Sequence, residues 1–313
     1  MRRPRRLVLV GSVLVDVLLY VPHMPERGGD VLAQGAVVTA GGGYNVLAGA
    51  SRLGMPVAYA GKVGSGPMGA QVLRDLESAD IPILLPPSDD GDTGFDIGLV
   101  EPDGERTFVT APGVESKLTA SDLAVIPLVG GDVVYVSGYD LCYPVSGAAL
   151  ADWLPALPQD VLLAFDPGPL VGEIPVRYLY VVLRRVDIIS LNQRELAILT
   201  GEDALPTAME RLAGLLHEGA WVVVRAGAQG CWLAGPEGHL RHVPGRPVAA
   251  VDSTGAGDAH VAALLAALHA GHPLEEAAHR ANVAASIAVG RRGPATGPTL
   301  EELESLLGEE RSR

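Results

Sequence analysis

The chain has 313 residues, 48% of them hydrophobic, with 39 glycines, 24 prolines and a formal charge of −14. That length supports one large α/β domain or two smaller ones. The negative field repels nucleic acid and anionic membranes, so both are excluded as partners. Aromatic residues make up 4%, too few for a base-stacking platform. Two cysteines, Cys142 and Cys231, with no C-x-x-C pair, fit a reducing compartment and exclude a thiolate zinc site.

The N-terminus, MRRPRRLVLVGSVLVDVLLYVP, imitates a signal peptide: a basic head, then an apolar run. Asp16 interrupts the run and no A-x-A pattern follows. The run is also short for a span of about 20 residues. It is read as a buried first strand of a cytoplasmic protein that keeps its N-terminus.

Apolar, β-branched segments recur at 6–11, 57–64, 132–138, 161–168, 186–192 and 221–227. Such continuous runs predict strands buried on both faces. Helical patterns lie among them, at 45–53, 69–79, 144–155 and 204–218. The alternation predicts a doubly wound, mostly parallel sheet in a single domain over 1–313, with ligands beyond the carboxyl ends of the strands. Residues 30–39 and 92–111 break the alternation, and Asp103-Gly104 is a hairpin signal inside the second stretch. They predict a small antiparallel β lid, over about 15–40 and 92–111, that excludes water from the site. The tail GEERSR is read as a solvated end.

Four motifs carry candidate chemistry. GSGPMG (64–69) matches G-x-G-x-x-G, but Pro67 removes a donor that a pyrophosphate needs, so a plain strand–helix turn is the better reading. In AGGGYN (40–45), glycines let backbone approach a ligand closely, and Asn45 opens an apolar helix as a ligand group or an ordinary N-cap. Asp16 ends GSVLVD as an exposed acid or a buried acceptor for polyol hydroxyls. In SLNQRE (190–195), Asn192 and Glu195 share a face, either holding a hydrated Mg²⁺ near phosphates or capping a helix.

The fifth motif, VDSTGAGDAH (251–260), runs straight into an Ala- and Leu-rich helix closed by Gly271. Its glycines sit where N–H groups lack partners and the helix dipole is positive, a site for an anion. Asp258 stands beside that anion, placed to take a proton from an acceptor group. This is a kinase layout.

With the glycine segment at 41–45, DSTGAGD at 252–258 resembles the two signatures of the ribokinase (PfkB) family of carbohydrate kinases. The resemblance runs in order along nearly the whole chain, through GSVLVD, NQRE, RAGAQG (225–230) and ANVAASIAVGRRGPATGPT (281–299). VEPDGERTF and VSGYDL look most like a bacterial subgroup of uncharacterised sugar kinases. The resemblance implies a ribokinase-like fold and phosphoryl transfer from ATP to a hydroxymethyl group. Asp258 would be the base, and Gly255, Ala256 and Gly257 the anion hole. Asp16, Gly42, Gly43 and Asn45 would hold sugar hydroxyls. Asn192, Arg225, Gly227, Gly230 and Asn282 would line the ATP site. Glu195 would reach Mg²⁺ through water, and Asp252 is the candidate K⁺ ligand. Relatives in the family often pair through the lid, so a homodimer is expected.

The chain also departs from the family pattern. His260 replaces a frequent aromatic and is read as packing on its neighbours. Arg225 replaces a common Thr or Lys. Gly297 stands where a K⁺-binding hydroxyl is expected, with Thr296 beside it. The acceptor is expected to be an unphosphorylated sugar or nucleoside, because AGGGYN carries no basic residue. Tyr44 and Phe95 are candidates to stack on a base, and Arg27 and Arg106 to clamp a phosphate. The competing classes are a nucleoside kinase of the same fold, a catalytically silent sugar-binding relative, and, more distantly, a dehydrogenase.

Overall fold

The computed structural model describes residues 3–311. The chain folds in the order β1 (Leu7–Leu9), β2 (Val13–Tyr20), β3 (Gly35–Gly42), α1 (Gly43–Arg52), β4 (Val57–Tyr59), α2 (Pro67–Ser78), β5 (Phe95–Val100) and β6 (Arg106–Ala111). It continues through α3 (Ala120–Ala124), β7 (Val133–Ser137), α4 (Gly138–Cys142), α5 (Pro144–Trp153), β8 (Leu162–Asp166), α6 (Val176–Leu183), β9 (Ile188–Asn192), α7 (Gln193–Thr200) and α8 (Leu205–Leu215). Last come β10 (Trp221–Arg225), β11 (Gly230–Ala234), β12 (Leu240–Pro244), α9 (Ala256–Ala270), α10 (Leu274–Val289) and α11 (Leu300–Arg311).

Eight strands form the main sheet, in the order β12-β11-β10-β9-β8-β7-β1-β4. Pairings from β4 to β10 are parallel, and β11 and β12 close one edge antiparallel. All six apolar runs are strands here. The core has two layers, one on each face. Leu7 and Leu9 pack with α1, α9 and α10 on one side, while Val8 and Val10 pack with α5, α6 and α8 on the other. Period-2 alternation within a continuous apolar run gives this division.

The N-terminal run is split between two sheets. The chain breaks after β1 at Gly11, whose φ is +154°. The buried Tyr59 hydroxyl braces the break, accepting from Val13 N–H at 3.1 Å and lying 3.2 Å from the Gly11 carbonyl. β2 then enters a second sheet, ordered β3-β2-β5-β6. This is the lid, with one difference from expectation: β2 and β5 run parallel, so the sheet is mixed. The hairpin from β5 to β6 turns at Gly104, φ +86°. Residues 30–34 precede the lid strand as irregular backbone.

Among the described residues, no helix is long and apolar enough to cross a membrane. The tail expected to be solvated is helical through Arg311; its last two residues, like Met1 and Arg2, lie outside the described residues.

Candidate active site

A cavity of about 780 Å³ opens between the lid and the carboxyl ends of the parallel strands. Ser137, Asp166, Asn192 and Arg225 are the last residues of β7, β8, β9 and β10, and all four line it. So do Asp16, Gly42, Gly43, Asn45, Gly227, Gly230, Asn282, Glu195 and the segment from Gly255 to Asp258. The expected site residues are thus gathered in one place. Asp252 lies behind the wall, while Ser253 and Thr254 face the cavity.

Helix α9 begins as anticipated. Gly255 is its N-cap at φ +68°, a left-handed conformation that glycine adopts without strain. The N–H of Ala256 bends back to the Ser253 carbonyl at 3.3 Å. Among the described residues, those of Gly255 and Gly257 have no backbone acceptor. The helix terminus therefore offers free donors at its positive end.

Asp258, in the first turn, accepts a hydrogen bond from Asn45 Nδ2 at 3.1 Å. Asn45 lies within α1, and the N-cap there is Gly42 at φ +60°. Its amide therefore ties the glycine motif to the acid rather than capping a helix, and its buried Oδ1 has no partner. Burial, followed by repulsion from Asp166, lifts the Asp258 pKa to about 6, while Asn45 and Arg225 oppose the rise.

At the lid end, Asp16 and Asp96 stand side by side in the register of β2 and β5, opposite Thr110 of β6. Asp16 is 6% exposed. Burial, then the charges of Asp96 and Asp258, pushes its carboxyl well above the usual range, and burial also raises Asp96. A Cβ on Gly41 would collide with the Asp16 carboxylate, which is what the first glycine of the motif prevents.

At the opposite end, Asn192 and Glu195 form a complete capping box on α7. Asn192 Oδ1 accepts from Glu195 N–H at 2.9 Å, and Glu195 Oε2 accepts from Asn192 N–H at 2.7 Å. Asn192 Nδ2 also donates to Glu195 Oε1 at 2.7 Å. The capping reading is therefore realised. Glu195 Oε2 is taken by Asn192 N–H and Arg225, and Oε1 accepts from Asn192 Nδ2, a crowded pair of oxygens that suits Mg²⁺ held through a bound water. Among the described residues, no group of three or more His, Cys, Asp or Glu side chains is arranged for a metal ion.

Asp252 keeps only its Oδ2 open to K⁺. Its Oδ1 accepts from Arg106 Nη1 at 2.6 Å and from the Thr254 N–H and hydroxyl at 2.8 and 2.5 Å. Its Oδ2 accepts from Gly293 N–H at 2.9 Å. One oxygen is saturated, and a guanidinium already supplies the compensating charge. Nearby, the Ala295 and Gly297 carbonyls accept from Arg52, and the Thr296 hydroxyl turns to the Ala288 carbonyl at 3.3 Å. Arg106 also bonds Ser253 and Thr254. It latches the lid to the anion loop instead of standing free for a substrate phosphate. Arg27 lies on an exposed loop.

Other expectations change. Tyr44 is core and bonds the Asp75 carbonyl, and Phe95 packs against the same core; neither lines the cavity. The aromatic walls are Phe108, Tyr135, Tyr139 and Tyr143. His260 lies buried with Nε2 3.2 Å from Asn282 Oδ1. Burial and the nearby Arg225 lower its pKa to about 3, which makes it a weak proton acceptor. In GSGPMG, the Met68 and Gly69 N–H groups at the α2 terminus donate to Asp92 at 3.1 and 2.8 Å. The chain's own carboxylate fills that anion position, so the dinucleotide reading falls. Asp96 and Asp166 escaped the sequence reading. Asp166 carried a signal, standing at the carboxyl end of a predicted strand; Asp96 carried none beyond strand alternation.

A ribokinase-like α/β sheet, a β lid and a helix N-terminus beside a buried acid define a small-molecule kinase. The chain belongs to the pfkB family of carbohydrate kinases, whose model matches residues 4–302. It is 35% identical over 299 residues to the uncharacterised sugar kinase YegV of Escherichia coli, covering 95% of this chain and 92% of that protein. An ATP-dependent ribose-1-phosphate kinase of Halopiger xanaduensis is 29% identical, with 97% and 98% covered. In fold, the chain superposes on adenosine kinase from Sinorhizobium meliloti with a TM-score of 0.83 at 23% identity, covering 97% and 99%. For ribokinase from Thermotoga maritima the TM-score is 0.80 at 24% identity, covering 96% and 99%. The protein is an ATP-dependent carbohydrate kinase.

Proposed function

We propose that the protein transfers the γ-phosphoryl group of ATP to a hydroxymethyl group of an unphosphorylated polyol, with Asp258 as general base. The observation that carries this is the placement of Asp258. It sits at the α9 N-terminus, tied to Asn45, between the acid-lined lid end and the strand ends of one cavity. There it can take the hydroxyl proton while the free N–H groups of Gly255 and Gly257 meet the transferring phosphoryl. Gly227, Gly230 and Asn282 would line the nucleotide end. Mg²⁺, reached through water by Glu195 and Asn192, would neutralise phosphate charge.

The lid end supports a neutral acceptor. Asp16 and Asp96 are hydrogen-bond acceptors for hydroxyls, and Arg106 is committed to Asp252. A second phosphate at the lid end would meet two acids, and Arg106, the lid's own guanidinium in the cavity wall, is already paired with Asp252. Phe108, Tyr139 and Tyr143 on the walls favour keeping nucleosides beside sugars as a second reading. A silent sensor has no use for a buried base beside open anion donors. The test is ADP release with free pentoses, hexoses, keto-acids and nucleosides, against ribose 1-phosphate and fructose 6-phosphate. A clear kcat/KM preference for the esters would overturn the neutral-acceptor reading.

Two further expectations belong to this reading. Use of cellular ATP and two free cysteines support the cytoplasm. The lid supports a homodimer: Leu32, Val38 and Val109 are 86%, 53% and 69% exposed on or beside its strands. Apolar side chains on an uncovered sheet invite pairing. Light scattering at micromolar concentration should give twice the chain mass, and Val109→Glu should halve it. A monomeric wild type would refute the pairing.

A further inference from the structure

Two acids of the cavity lack the compensation that the others have. Asp166 and Glu195 pair with Arg225, Asp252 behind the wall pairs with Arg106, and Asp258 accepts from the Asn45 amide. Asp16 and Asp96 line the lid end side by side, and among the described residues each carboxyl finds only the other. On the far side of Asp96 stands Thr110, which carries no charge. Asp96 Oδ1 is buried without a donor, and so is Oδ1 of Asn45, a residue 7% exposed in the same cavity. Unpaired acids at such a place are costly. The remaining cation of the wall is at the other end. Arg246 pairs with Glu310 at 3.5 Å and directly follows Pro244 and Gly245, where Asn282 Nδ2 donates to the Pro244 carbonyl at 3.1 Å.

We propose that Asp96 is a specificity-determining residue that reads the charge of the acceptor: beside Asp16 it makes the lid end a filter that admits neutral and ammonium-bearing polyols and turns away those carrying a phosphate or carboxylate. This deepens the kinase reading and rests on it. Asp16 alone offers the oxygens that two hydroxyls need. A second carboxyl beside it adds chiefly negative potential. Asp258 lies close enough for its charge to raise the Asp16 carboxyl, so an acceptor held at the base lies in the field of the pair. In partly buried surroundings a unit charge about 7 Å away changes an affinity roughly 10- to 100-fold. That penalty falls on an anionic acceptor. An ammonium group gains instead, since it brings three donors and the positive charge that the pair lacks. The competing role is structural, with Asp96 only holding β5 to β2 through Asp16.

The two roles separate in ratios of kcat/KM taken within one variant, which cancel any loss common to all substrates. The probes are ribose and ribose 1-phosphate, and glucose, glucosamine and glucose 1-phosphate, each with its hydroxymethyl group free. Wild type should favour each free sugar over its 1-phosphate and glucosamine over glucose. In Asp96→Asn, nearly isosteric and uncharged, the ester-to-sugar ratio should rise roughly 10-fold. In Asp96→Lys it should rise further, and the glucosamine-to-glucose ratio should fall by a similar factor. A structural role would lower every rate alike and leave the ratios in place. Ratios within about twofold of wild type in both variants would overturn the inference and leave the kinase reading standing. A wild type that prefers the esters would overturn it as well. A wild type that binds ADP but phosphorylates no polyol would instead remove the kinase reading, and this inference with it.

Discussion

Asp258→Asn is expected to fold, to bind ADP normally and to lose roughly 10²–10⁴-fold in kcat, the range of a missing general base. Asparagine nearly matches the shape of the aspartate but cannot accept the hydroxyl proton. The pH profile sharpens the expectation. The Asp258 pKa is about 6, raised by burial and by Asp166. The base acts only when ionised, so wild-type kcat/KM should fall about tenfold per pH unit below that value and level off above it. At pH 7 the ionised form leads by about ten to one. Asp166→Asn removes a repelling charge and should move the acid limb to lower pH. In Asp258→Asn the limb should vanish along with most of the rate. A purified variant with wild-type turnover, or with the same acid limb, would remove Asp258 from the mechanism.

Much of this site was readable along the chain because its parts are local. The proposed anion hole and base sit within seven residues, and a left-handed glycine precedes the helix that starts there. The parallel strands were legible as uninterrupted apolar runs, since burial on both faces removes polar alternation. What was not legible depends on pairing between distant segments. The lid's parallel β2–β5 pairing brings Asp96 beside Asp16, and no local pattern encodes that partner. Arg106 reaches Asp252 across 146 positions, which turns an apparent surface arginine into a latch and satisfies a carboxylate that resembled a K⁺ ligand. Asn45 was ambiguous for the same reason: its bond to Asp258 spans 213 positions, whereas a cap is local. Tyr44 shows the converse. Its neighbours place it in a ligand motif, but the pitch of α1 turns it into the core.

Asp16→Asn should separate substrate binding from stability, moving them in opposite directions. In the folded protein the Asp16 carboxyl is held above its ordinary pKa of 3.8 by burial, Asp96 and Asp258. The folded state therefore binds its proton more tightly than the unfolded chain does. Sign and window follow from linkage: the native state loses stability as pH rises past the unfolded value, and the loss is complete once pH exceeds the raised folded value. A neutral amide escapes that cost. The variant should melt higher than wild type in mildly alkaline buffer, and the two should converge in acid, where Asp16 is protonated in both states. Function should move the other way. In the same alkaline buffer the ionised carboxylate can accept from two substrate hydroxyls, and hydrogen bonds to a charged group contribute about 1.5–3 kcal/mol each. Replacing one acceptor oxygen by an amide NH2 should therefore lower kcat/KM for the acceptor roughly 10- to 100-fold there, with KM for ATP unchanged. Equal losses toward ATP and acceptor, or a lower melting temperature at alkaline pH, would show that Asp16 braces the lid instead of reading the substrate.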